Sequence, residues 1–95
     1  MIRREGDSLL IEGALTLATV SGLADEVRDH LRQGVRVIDL HGVSEVDSSA
    51  VALALEWLRQ AAETKPGLRF VNLPVAMQNL AKLYGVSDLL QPGSS

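Results

Sequence analysis

Apolar and polar positions change their period several times along this chain, and each change marks an element. Ile2 to Glu5 and Ser8 to Glu12 read as short strands separated by Gly6-Asp7, a pair whose glycine supplies the positive φ of a hairpin turn. Gly13 to Leu17 reads as a transition in which the glycine breaks the strand, after which Thr19 or Ser21 can cap a helix. Val20, Leu23, Val27 and Leu31 then recur at helical spacing, with Asp25, Glu26, Arg28, Asp29 and Arg32 on the other side and Gly34 at the end. Val35 to Leu40 is dense in β-branched residues and barely alternates, the pattern of a central strand covered on both faces. His41, beside Gly42, reads as a loop residue.

The longest helical pattern runs from about Ser48 to Glu63. Stepping 100° per residue from Val51 places Ala54, Leu55, Leu58 and Ala62 beside it, with Ala52, Glu56, Arg59, Gln60 and Glu63 opposite. Leu53 and Trp57 fall at the edge of the apolar arc, and Ser49 lies on the outward side one turn before Leu53. Thr64 to Gly67 is a Pro-Gly loop, and Leu68 to Val71 is a last strand with Leu68 and Phe70 on one face. A helix opening at Pro74 carries Met77, Leu80, Ala81 and Tyr84 as a stripe, with Lys82 near its C-terminal dipole and Gly85 as its stop. Ser87 to Leu90 adds a further turn, and residues 91–95 form a flexible tail. The order β-β-α-β-α-β-α predicts an α/β fold in which a mixed sheet carries its helices largely on one face.

Composition narrows what such a fold can do. The 95 residues fit one domain, residues 1–95, and 46% hydrophobic with 22% charged residues is the balance of a globular chain rather than a disordered one. A net charge of -3 and nine scattered basic residues argue against a nucleic-acid partner. With no cysteine there is no disulfide framework or thiolate metal site, and two histidines offer little to a metal. No Gly-x-x-x-x-Gly-Lys cradle occurs, so no nucleotide or other cofactor is expected. The N-terminus lacks the apolar core of a secretion signal, and no apolar stretch approaches the roughly 20 residues of a membrane span, so a cytoplasmic protein without membrane insertion is expected.

Candidate chemistry gathers between the third strand and the long helix, at Asp47-Ser48-Ser49. The plainest role is an N-cap, since an Asp or Ser oxygen there accepts hydrogen bonds from amides without an intrahelical partner. A hydroxyl at a helix N-terminus is also suited to phosphorylation, because free amides and the positive dipole end accommodate the added charge, although Asp47 opposes it. A nucleophile, base and orienter drawn from Ser48, His41 and Asp47 lacks the Gly-x-Ser-x-Gly elbow of a hydrolase, and no enzyme activity is expected. Glu45 and Asp47 read as turn and cap residues rather than paired catalytic carboxylates. Trp57 is either edge packing or, with Ser49, Ala52, Leu53 and Glu56, part of a partner surface running down the helix from the hydroxyl pair.

The strand Val-Arg-Val-Ile-Asp-Leu followed by Val-Ser-Glu-Val-Asp-Ser-Ser-Ala-Val-Ala-Leu resembles the signature of the STAS domain, named for sulfate transporters and anti-sigma-factor antagonists. The resemblance implies a small α/β module that binds partner proteins, with the helix after the Asp-Ser-Ser junction contributing to the contact. In the anti-sigma antagonists a partner kinase phosphorylates the second hydroxyl position after the aspartate, which falls on Ser49. Another branch, the cytoplasmic STAS subunit of the Mla phospholipid-transporting ABC complex, carries Asp-Thr-Gly-Gly-Leu-Ala-Leu and Leu-Ala-Lys-Leu-Tyr. This chain has Asp47-Ser48-Ser49-Ala50-Val51-Ala52-Leu53 and Leu80-Ala81-Lys82-Leu83-Tyr84. Similarity to that branch implies a non-catalytic accessory subunit that binds an ABC ATPase, and through it the permease, at the inner face of the membrane, in a complex maintaining outer-membrane lipid asymmetry. Ser48 takes the ATPase-contacting position. The resemblance to the antagonists implies instead an anti-sigma-factor kinase as partner and Ser49 as the switch. Asp47, Ser48, Ser49, Ala52, Leu53, Glu56 and Trp57 form the expected partner surface under either.

Overall fold

A computed structural model describes residues 2–62 and 67–90. Strands β1 (Ile2–Glu5) and β2 (Ser8–Leu15) form the expected hairpin, with Gly6 at φ +64° in the turn. Helix α1 (Val20–Arg32) follows, then β3 (Val37–Val46), α2 (Ser48–Ala62), β4 (Arg69–Val71), α3 (Val75–Leu83) and the short α4 (Ser87–Leu90). The sheet order is β1-β2-β3-β4, antiparallel between β1 and β2 and parallel across the other two pairs. A mixed sheet with connecting helices is therefore the architecture, as the element order predicts. Glu63 and Thr64 to Pro66, assigned to the end of the long helix and to the Pro-Gly loop, lie outside the described residues, as do residues 91–95, for which a tail is expected.

One face of the sheet carries the core. Leu9, Ile11, Ile38, Leu40 and Phe70 join Leu23, Val27 and Leu31 of α1, Ala54 and Trp57 of α2, and Met77 and Ala81 of α3 in a single buried cluster. The alternate positions Val37 and Asp39 are only half-buried and His41 is exposed, so β3 is covered on one face rather than both. The density of β-branched residues from Val35 to Leu40 misled because Val35 precedes the strand and is buried by the helix-to-strand turn, where its N–H donates to His30 O at 3.2 Å.

Two strands run further than the sequence pattern suggests. Gly13 does not break β2: it adopts φ +94° at an irregularity in the ladder, and pairing continues to Leu15. Strand β3 continues through His41-Gly42 to Val46 because it holds two more residues than the stretch of β2 it pairs with: Ser8 pairs with Val37, but Leu15 pairs with Val46. Each inserted residue is a bulge, and a bulge shifts which parity of residue faces the core. Ile38 and Leu40 are buried before the first bulge and Val43 after it, so the alternation breaks where the strand does not. At Gly42 a Cβ would meet Glu12 Cγ at 2.8 Å, so glycine permits close approach of β2 at the bulge.

Helix α2 sits on the sheet through Ala50, Ala54, Trp57 and Ala61, a stripe at spacings of three and four, flanked by Val51 and Leu53. The buried arc is thus rotated from the expected one. Leu55 and Leu58 are half-buried and Ala62 is exposed, whereas Trp57 is 1% exposed and stacks on Phe70 with ring centroids 6.5 Å apart. Three alanines in the stripe let the helix backbone approach the sheet and leave room for the one indole. In α3, Met77 and Ala81 are buried as expected, but Tyr84 lies beyond the last turn and is exposed. Gly85 at φ +73° ends α3, and the Val86 N–H returns to Ala81 O at 2.9 Å.

Candidate functional site

The site begins with Asp47, the residue between β3 and α2. Its Oδ1 accepts the Ser49 N–H at 2.8 Å, which is the expected N-cap, and its Oδ2 accepts the Leu17 N–H at 3.0 Å from the connection between β2 and α1. The Leu17 amide, followed by the Ser49 amide and hydroxyl, outweighs desolvation and holds the Asp47 carboxyl below the ordinary carboxylate range. Asp47 is therefore an anion at neutral pH, committed to two backbone donors. Cap chemistry at α1 differs from expectation. Thr19 occupies the N-cap but makes no side-chain cap bond; its Oγ1 accepts the Thr16 N–H at 3.0 Å and lies 3.0 Å from Ala14 O. Thr19 thus staples the connection to the end of β2, and Ser21 lies inside the helix.

Beyond Asp47, Ser48 is exposed and Ser49 half-buried. Ser49 opens a groove of about 350 Å³ between α1 and α2, lined by Val20, Ser21 and Ala24 on one wall and Ser49, Ala52, Leu53 and Glu56 on the other. Both walls carry short side chains three residues apart, Ser21 with Ala24 and Ser49 with Ala52. Side chains of that length cannot fill the space between two helices, which leaves the groove open. Its floor is apolar and its rim carries two hydroxyls and a carboxylate. Glu56 is held by Arg59, whose Nε donates to Oε1 at 3.0 Å, and by Gln60 at 3.1 Å. The hydrogen bonds from Arg59 and then Gln60 keep its carboxyl below the usual range.

Four of the seven expected surface residues, Ser49, Ala52, Leu53 and Glu56, therefore line one groove, with Asp47 and Ser48 at the start of the same helix. Two assignments change. Trp57 is a core residue and presents no surface to a partner, because the true inward stripe passes through it. Leu53 lines the groove but is only 8% exposed, so it anchors the groove floor rather than projecting from it. Sequence reading missed the opposite wall: Val20 packs against the core as expected but also lines the groove, and Ser21 faces the groove from inside the helix rather than capping it. The available signal was the matched pair of small residues on each helix.

The hydrolase arrangement is not assembled. His41 Nδ1 lies 3.0 Å from Asp39 Oδ1 rather than near Asp47, and Asp39 also accepts Asn72 Nδ2 at 3.1 Å. His30 lies in the last turn of α1. Among the described residues no group of three or more His, Cys, Asp or Glu side chains is placed to hold a metal ion, and no helix is long and apolar enough to cross a membrane.

Comparison with known proteins bears on this geometry. The structure is similar to that of the anti-sigma factor antagonist SpoIIAA in its unphosphorylated form, with a TM-score of 0.70 and 19% identity over 92% of this chain and 81% of that one. It is also similar to part of the Mglu structure, with a TM-score of 0.58 and 23% identity over 77% of this chain and 19% of that one. At these identities the likeness concerns the fold. No curated protein matches the sequence. Residues 1–91 match the family model described as "Mlab, STAS domain", and the chain belongs to this MlaB-type STAS family.

Proposed function

We propose that the protein is a non-catalytic accessory subunit that docks on the ATPase of a phospholipid-transporting ABC complex, and through it on the permease, at the inner face of the membrane. The observation that supports this reading is the groove beside Ser48: an apolar floor with a hydroxyl rim, on a chain of the MlaB-type family. Such a surface receives side chains, and its polar groups fix their orientation. Because Leu53 is buried, the informative substitutions are Ser48→Arg and Ala52→Arg, which project from exposed positions. Tagged protein purified from its native cell is expected to bring down an ABC ATPase. Each variant is expected to weaken that complex at least about tenfold while the thermal melt stays within the range of ordinary surface changes. Wild-type levels of ATPase with both variants would remove the docking assignment.

A second reading has its own observation. Ser49 is half-buried on the groove wall at a helix N-terminus, and the fold is similar to that of SpoIIAA. Under this reading the protein is an anti-sigma-factor antagonist switched at Ser49 by a partner kinase. Recovery of such a kinase, with phosphate mapped to Ser49, would favour it over the transporter assignment.

A further inference from the structure

The nearest wall positions on the two helices, Ala24 and Ser49, are 25 residues apart in sequence, and the wall on α1 begins only three residues after Leu17. Leu17 is 75% exposed, with no core packing to hold it, yet its N–H is bonded across to Asp47. The same carboxylate caps α2 through Ser49, a groove residue. On the other side of Leu17, the Thr16 carbonyl accepts the N–H groups of Thr19 at 2.9 Å and Val20 at 3.0 Å, so the connection is continuous with the first turn of α1. One side chain thus bonds to both segments from which the groove walls start.

We infer that Asp47 is a positioning residue, a latch that fixes the start of α1 against the start of α2 and so sets the spacing of the groove walls. The bond to Leu17 is distinct from capping. A cap needs one oxygen, and Asp47 uses the other to reach a segment that is remote in sequence. The competing restraint is Thr19, which ties the same connection to the end of β2 but not to α2. If Thr19 alone sufficed, loss of the Asp47 bond would leave the α1 wall where it is. With the latch, a change at the start of α2 is transmitted to Val20, Ser21 and Ala24. The importance of this device for partner binding rests on the docking reading above, but the device itself is measurable without a partner.

The test is NMR amide exchange and chemical shift on isotopically labelled full-length protein, comparing wild type with Asp47→Ser and Asp47→Asn. Serine is a good N-cap but too short to span to Leu17, so this variant separates the two roles. Leu17 amide exchange is expected to accelerate at least about tenfold in Asp47→Ser, since a hydrogen bond to a charged acceptor is lost. Resonances of Val20, Ser21 and Ala24 are expected to shift while Ser49 keeps its protection. Asp47→Asn retains a single acceptor oxygen and is expected to lose protection at either Leu17 or Ser49. Unchanged Leu17 exchange in both variants, or shifts confined to the first turn of α2, would overturn the latch. A latch that is present while no ATPase is recovered would remove only the docking reading.

Discussion

Helix α2 has two sides built from the same kinds of residue, and they do opposite things. Toward the sheet, Ala50, Ala54 and Ala61 are short so that Trp57 can fill the space they leave against Phe70. Toward α1, Ser49 and Ala52 are short and no large residue fills the space, so a groove remains. Small residues allow close packing where one large neighbour completes the layer and create an opening where none does. Stability belongs to the first side, and the docking proposed above would use the second.

The comparison breaks most severely at Trp57. Trp57→Ala is expected to cost about 3 to 5 kcal/mol in chemical denaturation, because it empties the one large volume on the sheet side. Trp57→Phe is expected to cost much less, since Trp57 Nε1 is buried without a hydrogen-bond partner and no bond is forfeited. Equal losses from the two changes would place the tryptophan's contribution outside packing. A smaller effect is expected at Gly42, where Ala would press on the Glu12 side chain; about 1 to 3 kcal/mol lost in the same measurement is the signature of overpacking at the bulge. Ala52→Arg, on the groove side, is expected to change folding stability by no more than about 0.5 kcal/mol, and a larger loss would show that this side is structural too.

Acid sharpens the contrast at finer scale. Asp39 is partly desolvated, which raises its pKa, but the His41 amide, the Asn72 amide group and the His41 ring together outweigh this and leave it lowered. Asp47 is lowered by Leu17 and Ser49. A carboxyl whose folded pKa lies below its unfolded one contributes stability that is present above the unfolded value and is lost as pH falls through the folded value. Both contributions therefore disappear in acid, below pH about 4. Asp39→Asn and Asp47→Ser are each expected to reduce the fall in melting temperature over that range; an unaltered acid profile in both would assign the loss to other carboxylates.

Element identity was legible in the sequence wherever burial followed a regular period. The hairpin at Gly6-Asp7, the α1 stripe of Leu23, Val27 and Leu31, and the stop at Gly85 all depend on local chemistry. The length of β3 was not legible, because two bulges reset its alternation and His41-Gly42 has the composition of a turn. The phase of α2 was misjudged because alanines carry little weight in a hydrophobic pattern, yet they define its inward stripe. At the site, Asp47 was readable as a cap, but its second partner was not: Leu17 lies 30 residues away and is joined through its backbone, which carries no residue-type signal.

The two extra residues of β3 also determine where the strand ends relative to its neighbour. With them, Val46 is level with Leu15, and Asp47 emerges beside the connection that contains Leu17. Each residue of a strand advances the chain by about 3.3 Å, more than the length of a hydrogen bond. A single deletion within β3 would therefore carry the carboxylate out of reach of the Leu17 amide even if every core contact could be repaired. Length variation that a surface loop would absorb is thus constrained in this strand, which acts as a spacer as well as a wall of the core.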